Sequence, residues 1–123
     1  MRDLASSAQF PRNLRLRSNK DFQRVWQRPR KFNGRYFMLI ISPNHLTRPR
    51  LGLGISKKKV PTAVARNRIK RIIRESFRKQ WQHFEGIDIV VTAKIGAAAL
   101  ESKTIREQIE ELWQILTSYL AKS

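Results

Sequence analysis

Arg66, Lys70, Arg74 and Arg78 stand at intervals of four, and Lys57, Lys58 and Lys59 run consecutively just before them. On a helix that spacing stacks four cations along one face. Each like-charged pair costs an isolated helix about 0.2–0.5 kcal/mol, and Glu75 is the only acid from Ala63 to Phe84. A stripe so poorly compensated is hard to explain as scaffold; the chemistry it can do is to bind phosphates. The lysine run would place further cations beside free backbone amides at the positive end of the helix dipole. Phe22 and Trp26, one helical turn apart, lie among Lys20, Arg24 and Arg28. Such rings either stack on unpaired bases while the cations hold phosphates, or simply cap a core, and the pattern leaves both open.

Bond-breaking chemistry has no comparable set of residues. His45 and His83 are far apart, cysteine is absent, Asp88 is the one acid in a strand-like run, and Glu107, Glu110 and Glu111 suit a solvated helix face. No catalytic residue and no metal-ligating set is therefore assigned to the protein, and Asp88 reads as structural. Leu51-Gly52-Leu53-Gly54 before the lysines lacks the Gly-Lys-Ser/Thr ending and spacing of a nucleotide loop, which excludes ATP binding.

The elements that must position these residues follow from periodicity. Ser18 and Asp21 have capping-box spacing for a short helix carrying Phe22, Val25 and Trp26, which Pro29 ends. Arg35 to Ser42 reads as a buried strand, followed by a turn-rich loop to Pro49. In the strand Arg50 to Ser56, Leu51, Leu53 and Ile55 face the core, while Gly52 and Gly54 leave the other face bare for something to approach the backbone. Thr62 caps a long helix over 63–84, with Ala65, Ile69, Ile72, Ile73 and Phe77 on one side and Asn67, Lys70, Arg71, Arg74 and Arg78 on the other. Gly86 stops it. Ile87 to Ala93 is a further strand, and a last helix from near Ser102 carries Ile105, Ile109, Leu112, Leu116 and Tyr119. The order is helix, strand, strand, helix, strand, helix: helices packed on one sheet, with a right-handed crossover as the default for parallel neighbours.

The 123 residues suit one domain, with 41% apolar residues for one modest core. With 26 Lys and Arg against 9 Asp and Glu, the net charge is +17, so an anionic partner is implied. Residues 1–74 hold 20 of these bases and 2 acids (+18), whereas residues 75–123 hold 6 and 7 (−1). The partner's surface is built by the first three fifths of the chain. Apolar runs such as Tyr36 to Ile41 are far below the roughly 20 residues that span a bilayer. The lack of cysteine suits a reducing compartment, and the first residues have no apolar signal core. Residues 1–17 read as a flexible basic arm and 18–123 as a single RNA-binding domain.

Leu51-Gly52-Leu53-Gly54-Ile55-Ser56-Lys57-Lys58, followed by Ala63-Val64-Ala65-Arg66-Asn67-Arg68-Ile69-Lys70-Arg71-Ile72-Ile73-Arg74-Glu75, closely resembles the signature of the ribonuclease P protein component. The likeness extends upstream to Leu16, Asp21, Phe22 and the Arg35 strand, and downstream to Ile89-Val90-Val91 and Lys94. Pro61 stands where many members have Gly, which would stiffen the loop before the helix. The resemblance implies an α+β fold: a two-layer, ribosomal-protein-like α/β sandwich with about four strands in a mixed sheet and a left-handed crossover, against the default. It implies a protein subunit that assists a catalytic RNA in Mg²⁺-dependent endonucleolytic 5′ maturation of tRNA, with Mg²⁺ held by the RNA and the protein alone inactive. The implied partners are that RNA and precursor tRNA, with no membrane and no obligate protein partner, in the cytoplasm. By the same resemblance Arg66, Asn67, Arg68, Lys70, Arg71 and Arg74 face the catalytic RNA. Phe22 and Trp26 line a cleft for the 5′ leader, with Ser56, Lys57 and Lys94 as its polar lining and Tyr119 approaching it. Arg15, Arg17, Lys58, Lys59 and Arg78 are expected as further phosphate contacts.

Two other classes fit the charge alone. One is a non-enzymatic ribosomal or RNA-chaperone protein, which needs no partner-specific cleft. The other is a DNA-binding regulator, for which no helix-turn-helix spacing precedes the basic helix. Preference for structured RNA over duplex DNA separates them.

Overall fold

The computed structural model describes residues 14–122. Its helices are α1 (Asn19–Gln27), α2 (Ala63–Arg78) and α3 (Ser102–Ala121), and its strands are β1 (Arg30–Asn33), β2 (Phe37–Pro43), β3 (Arg50–Gly54) and β4 (Ile87–Ala93). The strands form one mixed sheet in the order β1-β2-β4-β3, antiparallel except for the β3–β4 pair, which α2 connects. This is the expected α+β architecture with four strands.

Strand alternation sends Phe37, Leu39, Ile41, Ile87, Ile89, Val91 and Leu51 to one face, where they are buried with Ile69, Ile72, Ile73 and Phe77 of α2 and Ile105, Ile109, Leu112, Trp113 and Leu116 of α3. Phe77, Phe84 and Trp113 pack ring against ring, with centroids 5.6–6.1 Å apart. The buried Trp113 indole donates to Ser76 Oγ at 2.8 Å, so its polar atom is satisfied inside the core. The opposite face is smaller: Leu16, Val25, Ile40 and Val90 are buried there, with Phe22 and Met38 packed against them.

Several boundaries differ from the sequence reading. β1 was not anticipated, because Arg30-Lys31-Phe32-Asn33 is a short, charged edge strand without an apolar alternation to reveal it. The basic helix ends at Arg78 rather than Phe84; a 3-10 turn over Trp81–Phe84 follows, and Gly86 at φ +79° turns the chain into β4. The buried strand begins at Phe37, two residues later than expected, and β3 ends at Gly54. The basic arm does not extend to residue 17: Leu14 and Leu16 are buried, and Arg15 makes a parallel bridge to Leu51 with Leu16 N–H donating to the Leu51 carbonyl at 2.9 Å. Apolar residues at 14 and 16 straddling a bridged Arg15 give this segment strand-like alternation. Residues 1–13 of the expected arm lie outside the described residues.

Candidate nucleic-acid interface

Ser18 caps α1 in a reciprocal box: its hydroxyl accepts from Asp21 N–H at 3.1 Å, and Asp21 Oδ2 accepts from the Ser18 and Arg17 amides. The helix then crosses the sheet. At its start Asp21 Oδ1 meets Arg50 Nη1 of β3 at 3.4 Å, and at its end the Trp26 ring lies 5.5 Å from Lys31 Nζ of β1. Phe22 sits over Gly52, where a Cβ would come within 2.6 Å of the ring. The bare face expected at Gly52 is therefore filled by the protein's own Phe22, while Gly54 stays exposed.

Because α1 covers the row Lys31–Ile40–Val90–Gly52, the adjoining row Asn33–Met38–Thr92–Gly54 remains open beside it. The result is a trough walled by α1 and floored by strand backbone and small or flexible side chains. Ser56 and Lys57 leave the end of β3 at the same end of the sheet as Lys94, which follows β4. Ser56 and Lys57 are exposed, and Ser56 shapes the lysine turn, its hydroxyl accepting from Lys59 N–H and its carbonyl from Val60 N–H. Lys94 Nζ donates to the Gly34 carbonyl at 2.8 Å, closing the β1–β2 turn at the rim. Phe22 is half-buried and Trp26 is 46% exposed, so both rings are partly accessible. Tyr119 is not in this trough. It belongs to the other face of the sheet, against Phe32 with ring centroids 5.2 Å apart and under the Arg30 guanidinium at 5.1 Å.

The helix-forming sequence of α2 begins at Thr62, whose hydroxyl accepts from Ala65 N–H. Its polar side chains have different surroundings. Asn67 and Arg71 are exposed, together with Lys58 of the preceding turn. Arg66 Nη1 donates to the Val60 and Pro61 carbonyls at 3.0 and 2.9 Å, bracing the lysine turn from behind. Arg68 is engaged within the protein: its guanidinium donates to the Leu100 and Ala98 carbonyls and to Ser102 Oγ, tying α2 to the start of α3. Lys70 and Arg74 turn toward β3 and line a recess of about 140 Å³ with Arg15, Leu16, Phe22, Leu51, Gly52 and Leu53. Burial and the nearby Arg15 charge draw the Arg74 guanidinium below its ordinary value, though an arginine stays charged at neutral pH. Arg17 is exposed, and Lys59 and Arg78 are half-buried.

Sequence reasoning passed over the ion pair that underlies α1. Arg50 forks onto Asp88, Nε to Oδ1 at 2.9 Å and Nη2 to Oδ2 at 2.8 Å, and Asn44 Nδ2 donates to the same carboxylate at 3.0 Å. The Asp88 hydrogen bonds hold the Arg50 guanidinium above its ordinary value, against the opposing pull of burial. Asp88 as a lone acid in a strand was the one visible signal. For Asp21, partial burial pushes the carboxyl up, but the Arg17 amide, the Arg50 charge and Ser18 outweigh it and leave it below its usual 3.8. Among the described residues no three His, Cys, Asp or Glu gather to hold a metal, and no helix is long and apolar enough to cross a membrane.

Comparison with known proteins accords with this arrangement. Residues 10–117 match the family model for Ribonuclease P. The ribonuclease P protein components of Azotobacter vinelandii and Pseudomonas aeruginosa are each 43% identical over 111 residues, covering 89% of this chain and 85% and 82% of theirs. The solved RNase P protein of Staphylococcus aureus superposes with a TM-score of 0.77 at 34% identity, over 84% of this chain and 94% of that one. That of Thermotoga maritima gives 0.70 at 29% identity, over 80% and 93%. With its fold, its signature helix and nearly its whole length matched, this chain belongs to the ribonuclease P protein family.

Proposed function

We propose that this chain is the protein subunit of a ribonuclease P ribonucleoprotein, binding a catalytic RNA through α2 and the 5′ leader of precursor tRNA along the trough beside α1. The observation that carries this reading is the shared recess: Phe22 from the trough and Lys70 and Arg74 from the basic helix line one cavity with Arg15. A strand leaving the cations can thus pass directly onto an aromatic ring. Arg66, Asn67, Arg71 and the Lys57–Lys59 turn supply the broader contact to the catalytic RNA. Ser56, Lys57 and the Gly54–Thr92 floor suit an extended single strand, whose backbone needs close approach and whose phosphates need cations.

In this reading the RNA cuts the phosphodiester and Mg²⁺ belongs with it. The carboxylates nearest the trough do not fit a metal site, since Asp21 and Asp88 both have oxygens engaged by Arg50. The protein's contribution is electrostatic and positional: its cations offset repulsion between two phosphate-rich partners and lower the divalent-ion concentration that assembly needs. The cytoplasm, where precursor tRNA is matured, is the compartment this implies. Reconstitution with a ribonuclease P RNA tests it. The complex should cleave precursor tRNA at lower Mg²⁺ than the RNA alone, and the RNA-free protein should cleave nothing. Equal cleavage with and without the protein across a Mg²⁺ titration would leave only a general RNA-binding role.

A further inference from the structure

Asp21 is the only acid between residues 4 and 74, the stretch that carries most of the positive charge. A carboxylate there works against phosphate binding, so its place needs a separate account. Capping α1 is not a full account, because the cap uses Oδ2 while Oδ1 reaches Arg50 Nη1 at 3.4 Å. Arg50 is itself held by two bonds to Asp88, which is 2% exposed and fixed by Asn44. The result is a bracket from the sheet interior to the first turn of α1. Phe22 follows Asp21 directly, and its ring rests on Gly52, two residues beyond Arg50 on the same strand face. The bracket and the ring therefore share one register: moving Asp21 along β3 moves Phe22 relative to the trough floor.

We propose that Asp21 is a positioning residue for leader recognition, fixing the Phe22 ring at the trough through an Arg50 that Asp88 holds in place. This rests on the leader reading above. Neutralising Asp21 releases the charge pair but leaves an amide oxygen that can still cap the helix, so α1 persists while its placement loosens. Asp21→Asn also adds net positive charge, which strengthens all RNA binding alike; the ratio of precursor to mature tRNA affinity cancels that gain and reports on the leader alone.

The experiment uses holoenzyme assembled with excess protein and measures that ratio together with KM and kcat, with urea unfolding to confirm that each variant is folded. Asp21→Asn should lower the ratio by about two- to fivefold, the range an exposed-to-half-buried ion pair supports, raising KM and leaving kcat unchanged. Asp21→Glu, which keeps a carboxylate within reach of Arg50, should recover the ratio, and Glu107→Gln, which adds the same charge on α3, should not move it. Because both residues act through one ring, adding Asp21→Asn to Phe22→Ala should cost nothing beyond Phe22→Ala. Arg50→Lys, which keeps a cation beside Asp88 but loses the fork, gives a second route to the same loss should Asp21→Asn fold poorly. The proposal is overturned by an unchanged ratio in folded Asp21→Asn, or by losses that add fully in the double variant, while Phe22→Ala alone lowers the ratio. An unchanged ratio in folded Phe22→Ala overturns the leader reading itself.

Discussion

Phe37, Leu39 and Ile41 leave β2 toward α2 and α3 and are sealed, whereas Met38 and Ile40, their immediate neighbours, face α1 and a half-open trough. The same contrast runs through β4, where Ile89 and Val91 lie in the main core and Val90 meets α1 while Thr92 stays part-exposed. One sheet thus serves two purposes. The face with two helices buries most of the apolar side chains, and the face with one short helix leaves strand backbone accessible beside it. Arg15, Lys70 and Arg74 lie at the β3 edge of the second face and Lys31 beneath Trp26 at its other side, all of them within the first three fifths of the chain, where the charge is concentrated.

The sharpest way to break this division is to remove a large side chain from each face. Trp113→Ala should cost about 3–5 kcal/mol of unfolding free energy in urea titration, because it leaves a cavity and a stranded Ser76 hydroxyl. Val25→Ala, in the small cluster under α1, should cost clearly less. Equal costs would mean that both faces carry the fold.

Gly52→Ala tests the edge where the faces meet. Its Cβ would lie 2.6 Å from the Phe22 ring, so the ring must move, at a cost of about 1–3 kcal/mol in stability. Precursor tRNA affinity should fall more than mature tRNA affinity in the assembled enzyme; identical losses would show that the ring's seat is irrelevant to the leader.

Within α2, Arg68 and Arg71 should part company. Arg68→Ala strips donors from the Leu100 and Ala98 carbonyls and should lower stability by about 1–3 kcal/mol. Arg71→Ala should leave Tm nearly unchanged and instead reduce the slope of log affinity against log salt by about 1. If Arg68→Ala shifts the salt slope with no loss of Tm, its guanidinium serves RNA after all.

The smallest effect is in pH. Asp21 is held below its usual carboxylate value, so its contribution, under about 1 kcal/mol, is fully present above pH about 4 and is lost as pH falls through the depressed folded value. Wild type and Asp21→Asn should therefore converge in stability under acid and differ at neutral pH. A constant difference across that range would remove the charge pair with Arg50 as its source.

Local signals are legible in the sequence. β4 begins and ends where the apolar run does, Ser18 and Asp21 form the box their spacing announces, and α3 buries Ile105, Ile109, Leu112 and Leu116 as a stripe should. The basic helix and the β3 glycines were legible as sites because their pattern is costly or empty without a partner. What was not legible depends on distance along the chain. Arg68 looks like its neighbours until Leu100, 32 residues on, is folded against it, and Arg50 is unremarkable until Asp88, 38 residues on, meets it. Tyr119 lay on the right stripe of α3, but which face of the sheet that stripe meets is a matter of topology rather than spacing. β1 was invisible because an edge strand needs no apolar alternation.

The thin cluster beneath α1 has a dynamic consequence. Among the described residues only Leu16, Val25, Ile40 and Val90 are buried there, and Arg15 joins the sheet edge by one bridge to Leu51. Residues 16–28, which pack on this small cluster rather than on the aromatic core around Trp113, should leave that core covered when they open as one unit. Its amides should exchange with solvent deuterium through a local opening cheaper than global unfolding, while those of β2 and β4 wait for the whole chain. The wall of the trough is then also its most readily opened part, and a strand of RNA laid against it would be recorded as slowed exchange in α1 before anywhere else.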